Sequence, residues 1–281
     1  MSSTFPMDDT TIRASKMESQ LLLVMKILSV IAWLAVPIYT LIVLLVVGSS
    51  SQDATLATGG VAGVLVGVVI GYLIYGLVFV GLYQLYIKAH LFGHTIQITA
   101  HQFPDIYSRV EDFSRKLGIS VPKIFLMESG GDLNAFAMQL LGKPYVVIYS
   151  DVLELAYENG QDVVDFIIAH ELAHVKLGHI SFWKRLFLFP AESINMLGQA
   201  YRRSQEISCD RIAHILAPNA EERGLVLLAS GKHLYRHVNT EVLMRDQRPQ
   251  LGFVSSLIEF FSFYPTMMNR IYYCVSGYKG F

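Results

Sequence analysis

Asp162-Val163-Val164-Asp165-Phe166-Ile167-Ile168-Ala169-His170-Glu171-Leu172-Ala173-His174 is the stretch on which the reading of this chain turns. Its pattern predicts a helix with Asp162 and Asp165 in the first turn, where acidic side chains complement the macrodipole. On that helix His170 and His174 stand one turn apart and project side by side, as two nitrogen ligands of a single zinc must. Glu171 lies about 100° round the axis from His170. It flanks the metal without binding it, within reach of a proton on an attacking water. Phe166-Ile167-Ile168 give the helix a buried face, so this H-E-x-x-H pattern sits in a folded context rather than on an irregular segment.

A catalytic zinc needs a third protein ligand and an open position. Downstream, Tyr201-Arg202-Arg203-Ser204-Gln205-Glu206-Ile207-Ser208-Cys209-Asp210-Arg211 offers Glu206 and Asp210 one turn apart on one helix face. Glu206 is the expected metal ligand, and Asp210 the expected acceptor of a hydrogen bond from a ligating imidazole, fixing its tautomer. The alternative is a solvated acidic face balanced by Arg202, Arg203 and Arg211. Cys209 is a rival ligand, but a thiolate suits a closed structural site, and a buried thiol is the plainer reading. His179 reads as structural at the helix end, and His90, His94 and His101 as interfacial. His214, His233 and His237 have no matching partner spacing.

Upstream of the zinc helix, Ile106, Val110, Phe113 and Leu117 recur at helical spacing and Gly118 stops them. Lys123 to Met127 and Tyr145 to Tyr149 are strand-like. Leu133 to Met138 lies between them, bounded by Gly130-Gly131-Asp132 and Gly142-Lys143-Pro144, which predicts a sheet of about three strands. Ser150 or Asp151 is placed to cap the following helix.

Composition supplies the rest of the architecture. The chain is 53% hydrophobic and 16% charged, against roughly 25% charged residues in soluble domains. Between Leu21 and Ile87 the only Asp, Glu, Lys or Arg residues are Lys26 and Asp53. Ile27 to Val47 is an uncharged, predominantly apolar run of 21 residues, about 31 Å of helix, enough to cross a bilayer. A second uncharged run extends from Gly59 to Ile87. The length of the first run and the 20-residue polar tail before it favour a signal anchor over a cleaved signal peptide. Arg13 and Lys16 precede the first span. Lys88, Arg109, Arg115 and Lys116 follow the second, and the connecting loop carries no Lys or Arg. Positive-inside logic therefore places both tails in the cytoplasm, with the sequence leaning to a bacterial inner membrane. Gly59, Gly63, Gly67 and Gly71 form a stripe that admits a close helix, either the first span or a second copy as a homodimer. A net charge of −1 without a basic stripe argues against nucleic acid. The two cysteines are too few for a disulfide framework.

His170-Glu171-Leu172-Ala173-His174-Val175-Lys176-Leu177-Gly178-His179, with Glu206 and Asp210, resembles the gluzincin peptidases of the HtpX and CAAX prenyl protease type. So does Asn134-Ala135-Phe136-Ala137, upstream of the first histidine. The resemblance covers about Pro104 to Phe281, and the two spans fit its HtpX-like members. It implies an α+β, mainly helical fold: two N-terminal transmembrane helices, then a gluzincin-like zinc metallopeptidase domain with a small β-sheet. The expected divisions are a cytoplasmic tail (1–20), a two-helix anchor (21–87) and the metallopeptidase domain (88–281).

The same resemblance implies one zinc ion per chain on His170, His174 and Glu206, with Glu171 as general base and Asp210 behind the ligands. It makes Asn134 to Ala137 an edge strand pairing with extended polypeptide substrate, which suits broad recognition through backbone hydrogen bonds. The implied activity is membrane-anchored endoproteolysis of unfolded, damaged or membrane-proximal proteins. The alternatives are a catalytically silent scaffold and a site-specific processing protease.

The sequence departs from these relatives in three places. HtpX carries further spans between the zinc helix and the third ligand, whereas Phe182 to Leu197 here reads as an amphipathic segment, interfacial or buried under the site. Two spans cannot build the intramembrane chamber of the CAAX proteases. The family's C-terminal His-Pro…Arg element appears as Tyr264-Pro265…Arg270, with Arg270 read either as an organiser of the acidic helix or as a surface residue.

Overall fold

The computed structural model describes residues 12–49, 54–128, 130–131, 133–158, 160–218, 220–246, 262 and 264–276. Two long helices open the chain, α1 (Lys16–Ser49) and α2 (Ala54–His94). Each has a stretch long and apolar enough to cross a membrane, Lys16–Val43 and Val66–His94. At 1.5 Å per residue both helices exceed the roughly 30 Å bilayer core by several turns, and the surplus is built into the rest of the protein.

The surplus of α1 is N-terminal. Ile12, Ser15 and Glu18 are buried, Ile12 joining the main hydrophobic core. The end of the segment expected as a cytoplasmic tail over 1–20 thus packs, from Ile12, against the remainder of the protein. Two turns further on, Met25 packs with Leu188, Ala191 and Tyr201. The surplus of α2 is C-terminal, running past the expected boundary at Ile87. Leu91 packs with Phe125, Leu140, Tyr145 and Val147 on one face of the sheet.

That sheet has four strands: β1 (Ile96–Ile98), β2 (Lys123–Met127), β3 (Ala135–Leu140) and β4 (Lys143–Tyr149), in the order β1-β2-β4-β3. β2 and β4 are parallel, and the outer pairs are antiparallel. The three-residue β1 was not expected, being too short for a periodic signal. β3 is an edge strand, paired with β4 alone.

The remaining helices are α3 (Pro104–Leu117), α4 (Ser150–Tyr157), α5 (Gln161–Lys176), α6 (Phe182–Glu192), α7 (Asn195–Leu216), α8 (Glu221–Ser230), α9 (Thr240–Asp246) and α10 (Met267–Val275). No side chain caps α4. Asp151 accepts instead from Gly131 N at 3.0 Å and from Lys232 Nζ at 2.5 Å, tying the loop before β3 to the end of α8.

α5 is buried around its whole circumference, from Val163 and Val164 through Phe166 to Ala173. The sequence suggested one buried face. The structure surrounds the helix with α3, α4, α7, α8, β3 and β4, which is why its apolar residues are continuous rather than periodic. Gly224 on α8 permits one close approach, since a Cβ there would stand 2.4 Å from the Phe166 ring. On α2, a Cβ at Gly63, Gly67 or Gly71 would meet nothing within 4 Å. Among the described residues, none therefore packs closely against these three glycines, although α1 and α2 do contact each other. The side-chain surroundings of Gly59 lie outside the described residues.

Candidate metal centre

α5 and α7 pack against each other, bringing the two motif helices face to face. His170 Nε2 and His174 Nε2 converge to 3.2 Å. Glu206 Oε2 lies 3.4 Å from the first and Oε1 3.6 Å from the second. One ligand atom from each of the three residues fits within 4.8 Å of the others. Two imidazole nitrogens this close repel through their lone pairs unless a proton or a cation lies between them. Two histidines and a carboxylate also form a donor set that leaves a fourth position open on zinc. The residues present therefore fit the ion.

Electrostatics point the same way. Burial opposes an imidazolium at His170, but Asp210 and Glu206 outweigh it and push the pKa to about 10. Burial holds His174 neutral, its pKa lowered to about 3. Burial raises the Glu206 carboxyl, yet the hydrogen bond from His170 and the neighbouring positive charge bring it down to about 2. The pocket thus attracts positive charge while offering neutral His174 and ionised Glu206.

Asp210 Oδ1 stands 2.9 Å from His170 Nδ1, so His170 keeps Nε2 for the metal side. Arg270 holds Asp210 in turn, with Nε 2.7 Å from Oδ2 and a terminal nitrogen 2.6 Å from Oδ1. Asp210 stays ionised well below the usual carboxylate range despite its burial. Of the two readings of Arg270, the structure places it inside, 7% exposed.

Glu171 is buried beside this group, 8% exposed. Burial and the nearby Glu206 charge raise its pKa to about 7, against the lowering effects of His170 and of a hydrogen bond from the Ala137 backbone. A carboxyl poised near neutrality can both accept and return a proton.

These residues floor an open cleft of about 1080 Å³. Asn134, Ala135, Phe136 and Ala137 form one wall, Phe182 and Phe189 of α6 another. Tyr149 N donates to Asn134 O at 3.0 Å, and Phe136 pairs with Val147. The antiparallel alternation then turns the backbone groups of Ala135 and Ala137 away from β4. Ala137 meets Glu171 there, while Phe136 packs against Tyr149 on the other face. Gln139 Oε1 accepts from Phe182 N at 3.0 Å, joining the strand to α6. Along α6, Trp183, Leu186, Phe187 and Phe189 are exposed, and Trp33 Nε1 donates to Phe187 O from α1 at 3.0 Å. Tyr264 is exposed at the cleft rim.

Residues 100–189 match the model of peptidase family M48. The matched segment, about a third of the chain, is similar to that family. It carries β2 to β4, His170, Glu171 and His174, whereas Glu206, Asp210 and Arg270 stand outside it and are joined to the site by the geometry alone. A protein called Protease HtpX homolog, from Halobacterium salinarum, is 34% identical over 74 residues, covering 26% of this chain. The match spans 24% of that relative's length, about a quarter of it. Both similarities bear out the resemblance drawn from the histidine helix. No solved structure matches.

A second cluster, His174, His179 and Cys209, also has its donor atoms within 4.8 Å. It is closed: Cys209 is wholly buried, and burial pushes its thiol well above the ordinary range. The sequence singled out neither this cluster nor Glu18, whose carboxylate lies 2.9 Å from His179. An isolated glutamate 152 positions before the motif carries no periodic or spacing signal.

Proposed function

We propose that the protein is a membrane-anchored zinc metalloendopeptidase that hydrolyses peptide bonds of unfolded, damaged or membrane-proximal polypeptides. The observation that carries this reading is the meeting of His170, His174 and Glu206 beside Glu171, facing the edge strand β3 in an open cleft. His170, His174 and Glu206 would hold the ion. When bound, zinc supplies Lewis acidity toward the scissile carbonyl and makes water a stronger acid.

The chain's own residues perform the remainder. The outward carbonyls of Ala135 and Ala137, with the Ala135 N–H once it leaves Asn134 Oδ1, hold an extended peptide as an added strand, presenting its carbonyl toward Glu171. Glu171 takes a proton from the attacking water and returns it to the departing amine. Asp210 and Arg270 hold His170 in its ligating orientation. Recognition through backbone suits substrates that expose extended chain, which is the support for a quality-control role. The exposed aromatic residues of α6 beside α1 suit a cleft lying against the bilayer surface. The placement of basic residues supports a catalytic domain on the cytoplasmic side.

The test uses the full chain in detergent, with zinc content and casein cleavage measured for wild type and Glu171→Gln. One zinc per chain in both, with cleavage by wild type alone, is expected. Full zinc with no cleavage of any unfolded substrate by wild type would replace this reading with a silent scaffold. Protease protection of the C-terminus in intact cells checks the orientation.

A further inference from the structure

Glu18 sits in the first turn of α1 and is 1% exposed. Ser15-Lys16-Met17-Glu18 has the spacing of a capping box, and Ser15 Oγ accepts from Glu18 N at 3.1 Å. In such a box the glutamate ordinarily reaches back to the backbone N–H of the capping residue. Here that N–H donates to Ser208 Oγ of α7 at 3.0 Å. Released from capping, the Glu18 carboxylate turns inward, and its Oε1 lies 2.9 Å from His179 Nε2. Its second oxygen is buried with no hydrogen-bond partner among the described residues.

The end of α5 brings His179 to this point. Gly178 takes φ +65°, its N–H donates to Val175 O at 3.2 Å, and His179 N donates to His174 O at 3.0 Å. These paired bonds form a Schellman turn, which requires the left-handed glycine. The turn folds the His179 ring back until its Nδ1 is 3.0 Å from His174 Nδ1.

The proton positions follow in sequence. A carboxylate only accepts, so His179 Nε2 carries its hydrogen toward Glu18. Nδ1 of a neutral His179 is then left as an acceptor; His174 Nδ1 at 3.0 Å and the Cys209 thiol at 3.5 Å both reach it, and the imidazole is the nearer and stronger donor. His174 Nε2 is thereby left with its lone pair toward Glu206 and His170. The arrangement parallels His170–Asp210–Arg270, except that its outer member comes from the helix that enters the membrane.

We infer that Glu18 is a positioning residue for the metal centre, acting through His179 to fix the ring of His174. The anchor helix is then a structural part of the site rather than a tether. This inference rests on the zinc site proposed above.

The test measures zinc affinity by chelator competition, together with thermal unfolding of the metal-free full chain in detergent. Glu18→Ala and His179→Ala should each weaken zinc binding about 10- to 100-fold. The double variant should be no weaker than the poorer single, because both act on one relay. Glu18→Gln, which keeps an acceptor oxygen, should recover part of the loss. Met25→Ala, buried on the same helix but outside the relay, should lower thermal stability and leave zinc affinity within about twofold. Met25→Ala weakening zinc as much as Glu18→Ala would reduce Glu18 to a packing role and overturn the inference. So would losses that multiply in the double variant, or unchanged affinity in Glu18→Ala. A wild-type chain that binds no zinc would overturn the site reading itself. Zinc lost in Cys209→Ser but kept in Glu206→Gln would place the metal in the closed cluster and overturn both.

Discussion

Arg270 and Asp210, 60 residues apart in sequence, form a two-point ion pair in which both partners are buried. Asp210 at the same time faces His170 across 2.9 Å. One arginine from the last described helix thus fixes an acid on α7, which fixes a histidine on α5. Removing one partner from such a pair strands a buried charge, which typically costs about 3–5 kcal/mol. Arg270→Ala should lose about that much stability and weaken zinc binding as well. Arg270→Lys should fall between, because an ammonium cannot reproduce the two-point geometry. Thermal unfolding and chelator competition on the same preparations check this.

Above about pH 6.5, where His174 is neutral folded and unfolded alike, the metal-free chain should lose stability as pH rises. His170 is raised from 6.5 to about 10, so its contribution is fully present below about pH 6.5 and disappears as pH passes the folded value. Glu171, raised to about 7, holds a proton in the folded state that it lacks unfolded. It removes stability between about pH 4.5 and 7, opposed up to about pH 6.5 by His174, whose lowered value adds stability there. Zinc replaces the His170 proton, so the stabilisation it confers should grow between pH 7 and 10. Zinc uptake at pH 8 should release close to one proton from His170. Calorimetry in buffers of differing ionisation heat reads that number directly, and no release would contradict the assignment.

Gly224 is held without a Cβ by the Phe166 ring 2.4 Å away. Phe166 stands one turn before His170, their ring centres 6.2 Å apart. Gly224→Ala must displace that ring, an overpacking cost of about 1–3 kcal/mol. Zinc affinity should fall with stability, unlike in a variant that loosens packing far from α5. Unchanged melting temperature would show that α8 yields instead.

Ala135→Pro tests the edge strand. Its N–H is turned away from β4 and donates to Asn134 Oδ1 at 2.9 Å, so proline removes no ladder bond, which edges tolerate, but does remove the donor that substrate would take over from Asn134. One lost backbone hydrogen bond to substrate, about 1 kcal/mol, should raise KM about fivefold while kcat and melting temperature change little. A variant with unaltered KM would take β3 out of substrate binding.

The zinc helix, Glu206–Asp210 and the two spans were legible in the sequence because each is local: ligands one turn apart, or an unbroken apolar run. Spacing could not say that Arg270 lies inside rather than on the surface, since a single arginine has no period. It was equally silent on β1, whose three residues gain their strand geometry from pairing with Ile124 to Leu126. The continuous apolar run of α5 suggested one buried face because sequence does not count neighbours, and α3, α4, α7, α8, β3 and β4 all pack against that helix.

The sequence by itself therefore singled out the residues proposed for zinc binding and proton transfer, and two helices long and apolar enough to cross a membrane. Only the tertiary structure decided how those residues are held. Glu18 reaches His179 across 161 positions, and Arg270 reaches Asp210 across 60. Such contacts depend on the packing of α1, α5, α7 and α10, which buries carboxylates where only a specific partner can satisfy them.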